Sequence, residues 1–221
     1  MSRPGRGLGA PELDQIRGIA ETSDVDLGVV LLRGTPTNQA RPDEVLRRIS
    51  ARAQAFGRDL ASGRSDGPGR SGEAGPGGAG GMTVVERRDG LYSGDPAVAR
   101  FSHRTRTIHL YLDTVDLCED LVDSLGWRST FPVGSVRAAA VEHERAHDLI
   151  SHAHAKDLRV AVAQPALAIG RWRRWAHVAG ADELAAHAFA QAVLGLGRSP
   201  LLVTAAAVSA LDAGHRPVKE S

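Results

Sequence analysis

The run VEHERAHD at 141–148 constrains this chain more than any other stretch, because it sets two histidines four residues apart inside a segment of helical periodicity. On a helix, His143 and His147 lie one turn apart and project from one face, so both imidazoles can reach a single ion. Val136, Ala140, His143, His147 and Ile150 recur at helical spacing and form one stripe, which places the histidines on the core-facing side. Two ligands do not complete a site. Zinc in a catalytic centre takes three protein ligands and keeps one position for water, so the fold must bring a further element against the motif helix. Glu144 stands beside the histidines, where its carboxylate can take a proton from water. The pattern therefore reads as zinc-dependent hydrolysis with Glu144 as general base. The competing reading is a pair of core histidines bonded to backbone, which leaves Glu144 idle or buried at a cost.

The rest of the composition bounds the setting. Lys and Arg number 27 against 26 Asp and Glu, so no global field favours nucleic acid or an anionic membrane. Cys118 is the single cysteine, which rules out an intrachain disulfide and a Cys-rich zinc site. The first residues lack an apolar core of signal-peptide length, and no stretch approaches 18 uninterrupted apolar residues. A soluble cytoplasmic protein, with no membrane and no nucleic-acid partner, is the expectation.

Taken in order, the chain reads as α+β. Leu13, Ile16 and Ala20 suggest a short helix, and the apolar run LGVVLL at 27–32 reads as a strand closed by a turn at 33–36. Asp43 and Glu44 open a helix with a buried stripe of Val45, Ile49, Ala53, Phe56 and Leu60. Residues 62–82, rich in Gly, Ser and Pro, read as a flexible linker or insertion, which divides the chain into an N-terminal helix–strand–helix segment at 1–61, a core at 83–214 and a tail at 215–221. Short strands are expected at 83–86 and 97–101, and the clearest strand is TIHLYL at 107–112, with Ile108, Leu110 and Leu112 on one face. Thr114 is a candidate cap for the next helix, Gly126 its left-handed end, and Ser135 the cap of the motif helix. Pro165 suggests the start of a helix carrying RWRRW at 171–175, either anchored in the core by Trp172 and Trp175 or forming a basic and aromatic contact surface. Ser199 and Pro200 cap a last helix over 201–212.

The third ligand separates the metal chemistries. A histidine six residues beyond His147 with glycine between is the metzincin solution, but Ile150 and Ala153 hold those positions. Cys118 lies in DLCED, unlike a deformylase segment. A carboxylate on a later helix remains, and GADELAAHAFAQAVL at 180–194 supplies Glu183, on a stripe with Ala186, His187, Ala190 and Leu194. Asp182 is the alternative ligand, and His187 could reach the metal or an imidazole. The plain reading of Glu183 is an acidic residue at a helix N-terminus.

HERAHDLI at 143–150 followed by ELAAHAFA at 183–190 resembles the ImmA/IrrE-type metallopeptidases, small gluzincins with His-Glu-x-x-His and then Glu-x-x-Ala-Asn/Asp-x-Phe-Ala. The resemblance covers roughly residues 90–200. It implies a zincin-like fold, a small mixed or antiparallel sheet packed on several helices, with Zn2+ held by His143, His147 and Glu183 and with Glu144 as base. It also implies a narrow protein substrate, commonly a DNA-binding repressor, laid along the 107–112 strand at the cleft edge. His187 stands where the family has Asn or Asp, Arg145-Ala146 replaces Leu-Gly, and the spacer from His147 to Glu183 is long. Tyr111, His109, His187 and Arg145 are candidates to stabilise the oxyanion. The alternative from another class is a non-catalytic or toxin-like interaction module that retains the fold. Sequence-specific DNA binding is not expected, since no helix-turn-helix is evident.

Overall fold

The computed structural model describes residues 10–63, 82–91, 96–162, 165–169, 172–175 and 177–214. The expected linker at 62–82 and the tail at 215–221 fall almost wholly outside them. The first helix, α1 (Ala10–Ala20), is followed directly by a second, α2 (Asp24–Arg33). The strand expected over 27–32 is thus a helix, and its start explains why. Ser23 accepts a hydrogen bond from the Asp26 amide and donates to its carboxylate at 2.7 Å, while Asp24 and Asp26 sit at the positive end of the helix dipole. That local cap outweighs the weak strand signal of the apolar run.

Helix α3 (Asp43–Ala61) forms where expected, with Leu46 taking the buried place assigned to Val45 beside Ile49, Ala53, Phe56 and Leu60. Three strands, β1 (Thr83–Arg87), β2 (Ala99–Ser102) and β3 (Thr107–Tyr111), make a mixed sheet in the order β1-β3-β2. β1 runs parallel to the central β3 and β2 antiparallel to it. Ile108 and Leu110 are fully buried, as the alternation requires. The placing of the 107–112 strand at the cleft edge is corrected by this order: β3 is paired on both sides, β1 and β2 are the two edges, and β2 is the one that lines the cleft.

Helix α4 (Leu112–Ser124) begins directly after β3, so Leu112 belongs to it and Thr114 is buried in its first turn instead of capping it. Gly126 ends it at φ 74°, as expected. The motif helix, α5 (Ser135–Leu149), takes Gly134 and not Ser135 as its cap, and continues through a π-helical turn (Ile150–His154) into α6 (Ala155–Val162). Two strands, β4 (Pro165–Ile169) and β5 (Trp172–Trp175), then pair antiparallel where a helix was expected. Pro165 is the first residue of its strand, where proline is tolerated. Helix α7 (Ala181–Leu194) carries Glu183, and α8 (Leu201–Gly214) closes the described chain, its Leu201 amide donating to Ser199 Oγ at 3.3 Å.

The architecture is α+β, and α7 is its axis. It is buried nearly all round by α3 on one side and α5 on the other. Leu46 and Ile49 from α3, Val122 from α4, Val136 from α5 and Leu184 from α7 belong to one hydrophobic cluster. Small residues permit close approach: a Cβ on Gly57 of α3 would lie 2.0 Å from the Ala185 carbonyl oxygen of α7. Among the described residues, no helix is long and apolar enough to cross a membrane.

Candidate metal centre

Both ligand-bearing helices start at a glycine in the left-handed region, Gly134 at φ 80° and Gly180 at φ 85°. A side chain is strained there, and the turn it permits aims each helix into the same cleft. The start of α7 is held by Asn38, buried in a 3-10 turn (Pro36–Asn38), which donates to the carbonyls of Leu32 at 3.2 Å and Ala179 at 3.0 Å. At the other end, Arg198 donates to Asp24 and to the carbonyls of Ala20 and Thr22, tying the α7–α8 corner to α1 and α2.

His143, His147 and Glu183 meet. The two Nε2 atoms are 3.0 Å apart, His143 Nε2 is 3.3 Å from Glu183 Oε2, and His147 Nε2 is 3.1 Å from Glu183 Oε1. Ligands at about 2.0–2.1 Å around a tetrahedral ion stand roughly 3.3 Å from each other, so the donors are spaced to share one ion. Two imidazole nitrogens and a carboxylate are the donor set expected for zinc. Asp182 lines the same cleft without taking this place.

The electrostatics follow from the cluster. Lost hydration acts to raise the Glu183 carboxyl, but the hydrogen bonds and charge of His143 and His147 outweigh it and hold the group well below the usual carboxylate range. Burial acts to lower His147, and Glu183, with Glu144 and Asp182 behind it, reverses this into a net rise. His187 is held well below the usual histidine range, first by burial and then by the neighbouring His143. Its ring centroid lies 4.4 Å from that of His143, and the Nδ1 atoms of both are buried without hydrogen bonds. His143, Glu183 and His187 each offer a ligand atom within 4.8 Å of the others, so His187 is a further candidate donor beside His143 and Glu183.

The centre opens into a cavity of about 1190 Å3. His143, Glu144, His147 and Glu183 line it, together with β2 residues Ala99 to Phe101 and apolar residues of α8 such as Val203 and Val208. Tyr111 does not line it: its Cβ and Cγ face Gly90 on the far side of β3. Arg145 is engaged with Glu142 on the outer face of α5, and His109 is not among the lining residues. Of the proposed oxyanion groups only His187 reaches the cleft. Sequence reasoning missed Arg100 and His103, which line the cleft because β2 and the turn after it, and not the central β3, border it.

Comparison of the chain with models of protein families, with curated proteins and with solved structures finds no match.

Proposed function

We propose that this chain is a zinc-dependent peptidase with a zincin-like fold, similar to the ImmA/IrrE type and acting on a protein substrate. The observation that carries the reading is the meeting of His143, His147 and Glu183 at separations of 3.0–3.3 Å, in the cleft that Glu144 also lines. Zinc, when bound, supplies Lewis acidity that lowers the pKa of a water toward about 7 and polarises a carbonyl. Glu144 accepts the proton of the attacking water on its carboxylate and returns it to the leaving amine. The outer edge of β2 offers backbone groups to an extended substrate, which adds to the sheet as a strand. Balanced charge favours a protein over a nucleic acid as partner, and the resemblance makes a cytoplasmic regulator, such as a DNA-binding repressor, the expected class.

Replacing Glu144 by Gln tests the mechanism. The variant is expected to keep its zinc, read by elemental analysis, and to lose about 10²–10⁴-fold in cleavage of a proteome-derived peptide library. Cleavage at the wild-type rate sinks the assignment.

His187, a donor within 4.8 Å of His143 and Glu183, favours a second reading, a non-catalytic or toxin-like interaction module whose ion it helps to close off from water. Cobalt substitution separates the two. An open site changes its visible spectrum when azide is added, and a closed one does not.

A further inference from the structure

A second group of metal donors lies outside this centre and shares no ligand with it. Asp148 follows His147 directly, so its side chain leaves α5 about 100° away from the histidine stripe. It is a carboxylate with 7 % of its surface exposed. Arg106, in the turn between β2 and β3, donates to Asp148 Oδ2 at 3.2 Å. The other oxygen, Oδ1, is buried and accepts no hydrogen bond, although His152 Nδ1 lies 3.1 Å from it. His152 Nδ1 is also 2.9 Å from the Asp148 carbonyl and donates its proton there, which leaves Nε2 as a free lone pair. A buried carboxylate oxygen without a hydrogen bond calls for a partner, and an ion is one.

Geometry supplies the rest. Asp148 and His152 are one turn apart at the point where α5 passes into its π-helical turn, a deformation frequent at functional sites. His103 approaches from the β2–β3 turn, with its ring 5.8 Å from that of His152. His103, Asp148 and His152 each offer a ligand atom within 4.8 Å of the others. Both histidines are exposed, so their rings can turn toward a shared ion without disturbing the core.

We propose that His103, Asp148 and His152 bind a second divalent transition-metal ion that clamps the β2–β3 turn to the end of the motif helix. Two imidazoles and one carboxylate select zinc and its neighbours over magnesium or calcium, which require oxygen ligands. His103 and Ser151 also line the cleft, so the ion holds edge strand β2 at the rim of the primary centre. The guanidinium of Arg106 opposes a cation, and the second ion is therefore the weaker one, first to leave on chelation.

The test uses the full chain equilibrated with zinc, with elemental analysis of the protein during a chelator titration. Wild type is expected to lose zinc in two steps. The double variant His103→Ala/His152→Ala, which alters only exposed side chains, is expected to lack the weaker step and keep the tighter one. His143→Ala/Glu183→Gln is expected to keep the weaker step, so failure of the peptidase centre is read separately. A weaker step that survives in His103→Ala/His152→Ala, or a His143→Ala/Glu183→Gln protein that binds no zinc, overturns the assignment; a single wild-type step that His143→Ala/Glu183→Gln keeps and His103→Ala/His152→Ala loses supports this site and overturns the primary centre instead. Far-UV circular dichroism of each variant confirms that binding is compared between folded proteins.

Discussion

Gly57→Ala tests whether the α3–α7 contact sets the position of Glu183. A Cβ there would stand 2.0 Å from the Ala185 oxygen, 2.8 Å from its carbon and 3.0 Å from its Cα. Ordinary contact begins near 3.4 Å, so relief requires a displacement of about 1.4 Å, and the obstruction is backbone, which cannot rotate away. Glu183 lies two residues from Ala185 on the same helix, and a metal site tolerates only about 0.2 Å of ligand displacement. Overpacking costs about 1–3 kcal/mol, offset by up to about 1 kcal/mol from removing a glycine inside a helix. A net loss of about 1–2 kcal/mol corresponds to a fall in Tm of roughly 2–8 °C for a chain of this size. Zinc affinity, measured by chelator competition, is expected to fall about 10–100-fold, the range seen when the support of a ligand is disturbed. Gly18→Ala is the control, since nothing lies within 4 Å of a Cβ there, and it is expected to be neutral or stabilising by up to about 1 kcal/mol. Wild-type Tm and zinc affinity in Gly57→Ala refute the close contact. Lost stability with unchanged affinity refutes its link to Glu183.

Asn38→Ala removes the donor that satisfies the Leu32 and Ala179 carbonyls, and urea denaturation is expected to show a loss of about 1–3 kcal/mol; a midpoint unchanged from wild type counts against the clamp. Arg198→Met cuts the charge-assisted bonds to Asp24, Ala20 and Thr22 and is expected to cost about 2 kcal/mol in the same assay, an effect that Asp24→Asn should reproduce only in part. Burial pushes the Cys118 thiol up to about 12, so a disulfide reagent at pH 8 is expected to label it only after denaturation; rapid labelling of the native protein shows that the residue is accessible.

The elements legible in the sequence were those whose local and tertiary preferences agree. The stripe of α3, the alternation of Ile108 and Leu110 and the left-handed end at Gly126 each follow from patterns that packing then reinforces. The errors lie where two signals compete. LGVVLL at 27–32 has strand composition, but Ser23 with Asp26 three residues on is a capping pair, and it was the stronger indication of a helix. RWRRW read as a helix because two tryptophans three apart suit a helical face, yet the chain pairs there as β4 and β5. Sheet order cannot be read from strand patterns at all. The strongest alternation belongs to β3 because it is central and paired on both sides, and the same fact moves the cleft edge to β2.

The site divides along the same line. His143 and His147 share a helix, so their proximity is fixed by a four-residue spacing and needs no tertiary information. Elimination reached a carboxylate on the 180–194 helix with Asp182 still open, the resemblance pointed to Glu183, and the Glu183 carboxylate stands within 3.1–3.3 Å of both imidazoles. Tyr111 was misplaced for a reason that strand periodicity makes explicit. Residues 107, 109 and 111 face away from the core, but which outer side meets the cleft depends on where β2 and α5 pack. The second donor group shows the limit most clearly. Asp148 and His152 are one turn apart and could be paired from the sequence, whereas His103 is 45 residues before Asp148 and reaches them only because the β2–β3 turn folds back over the end of α5. Ligands on one helix are local facts, and the residue that turns such a pair into a site is supplied by topology.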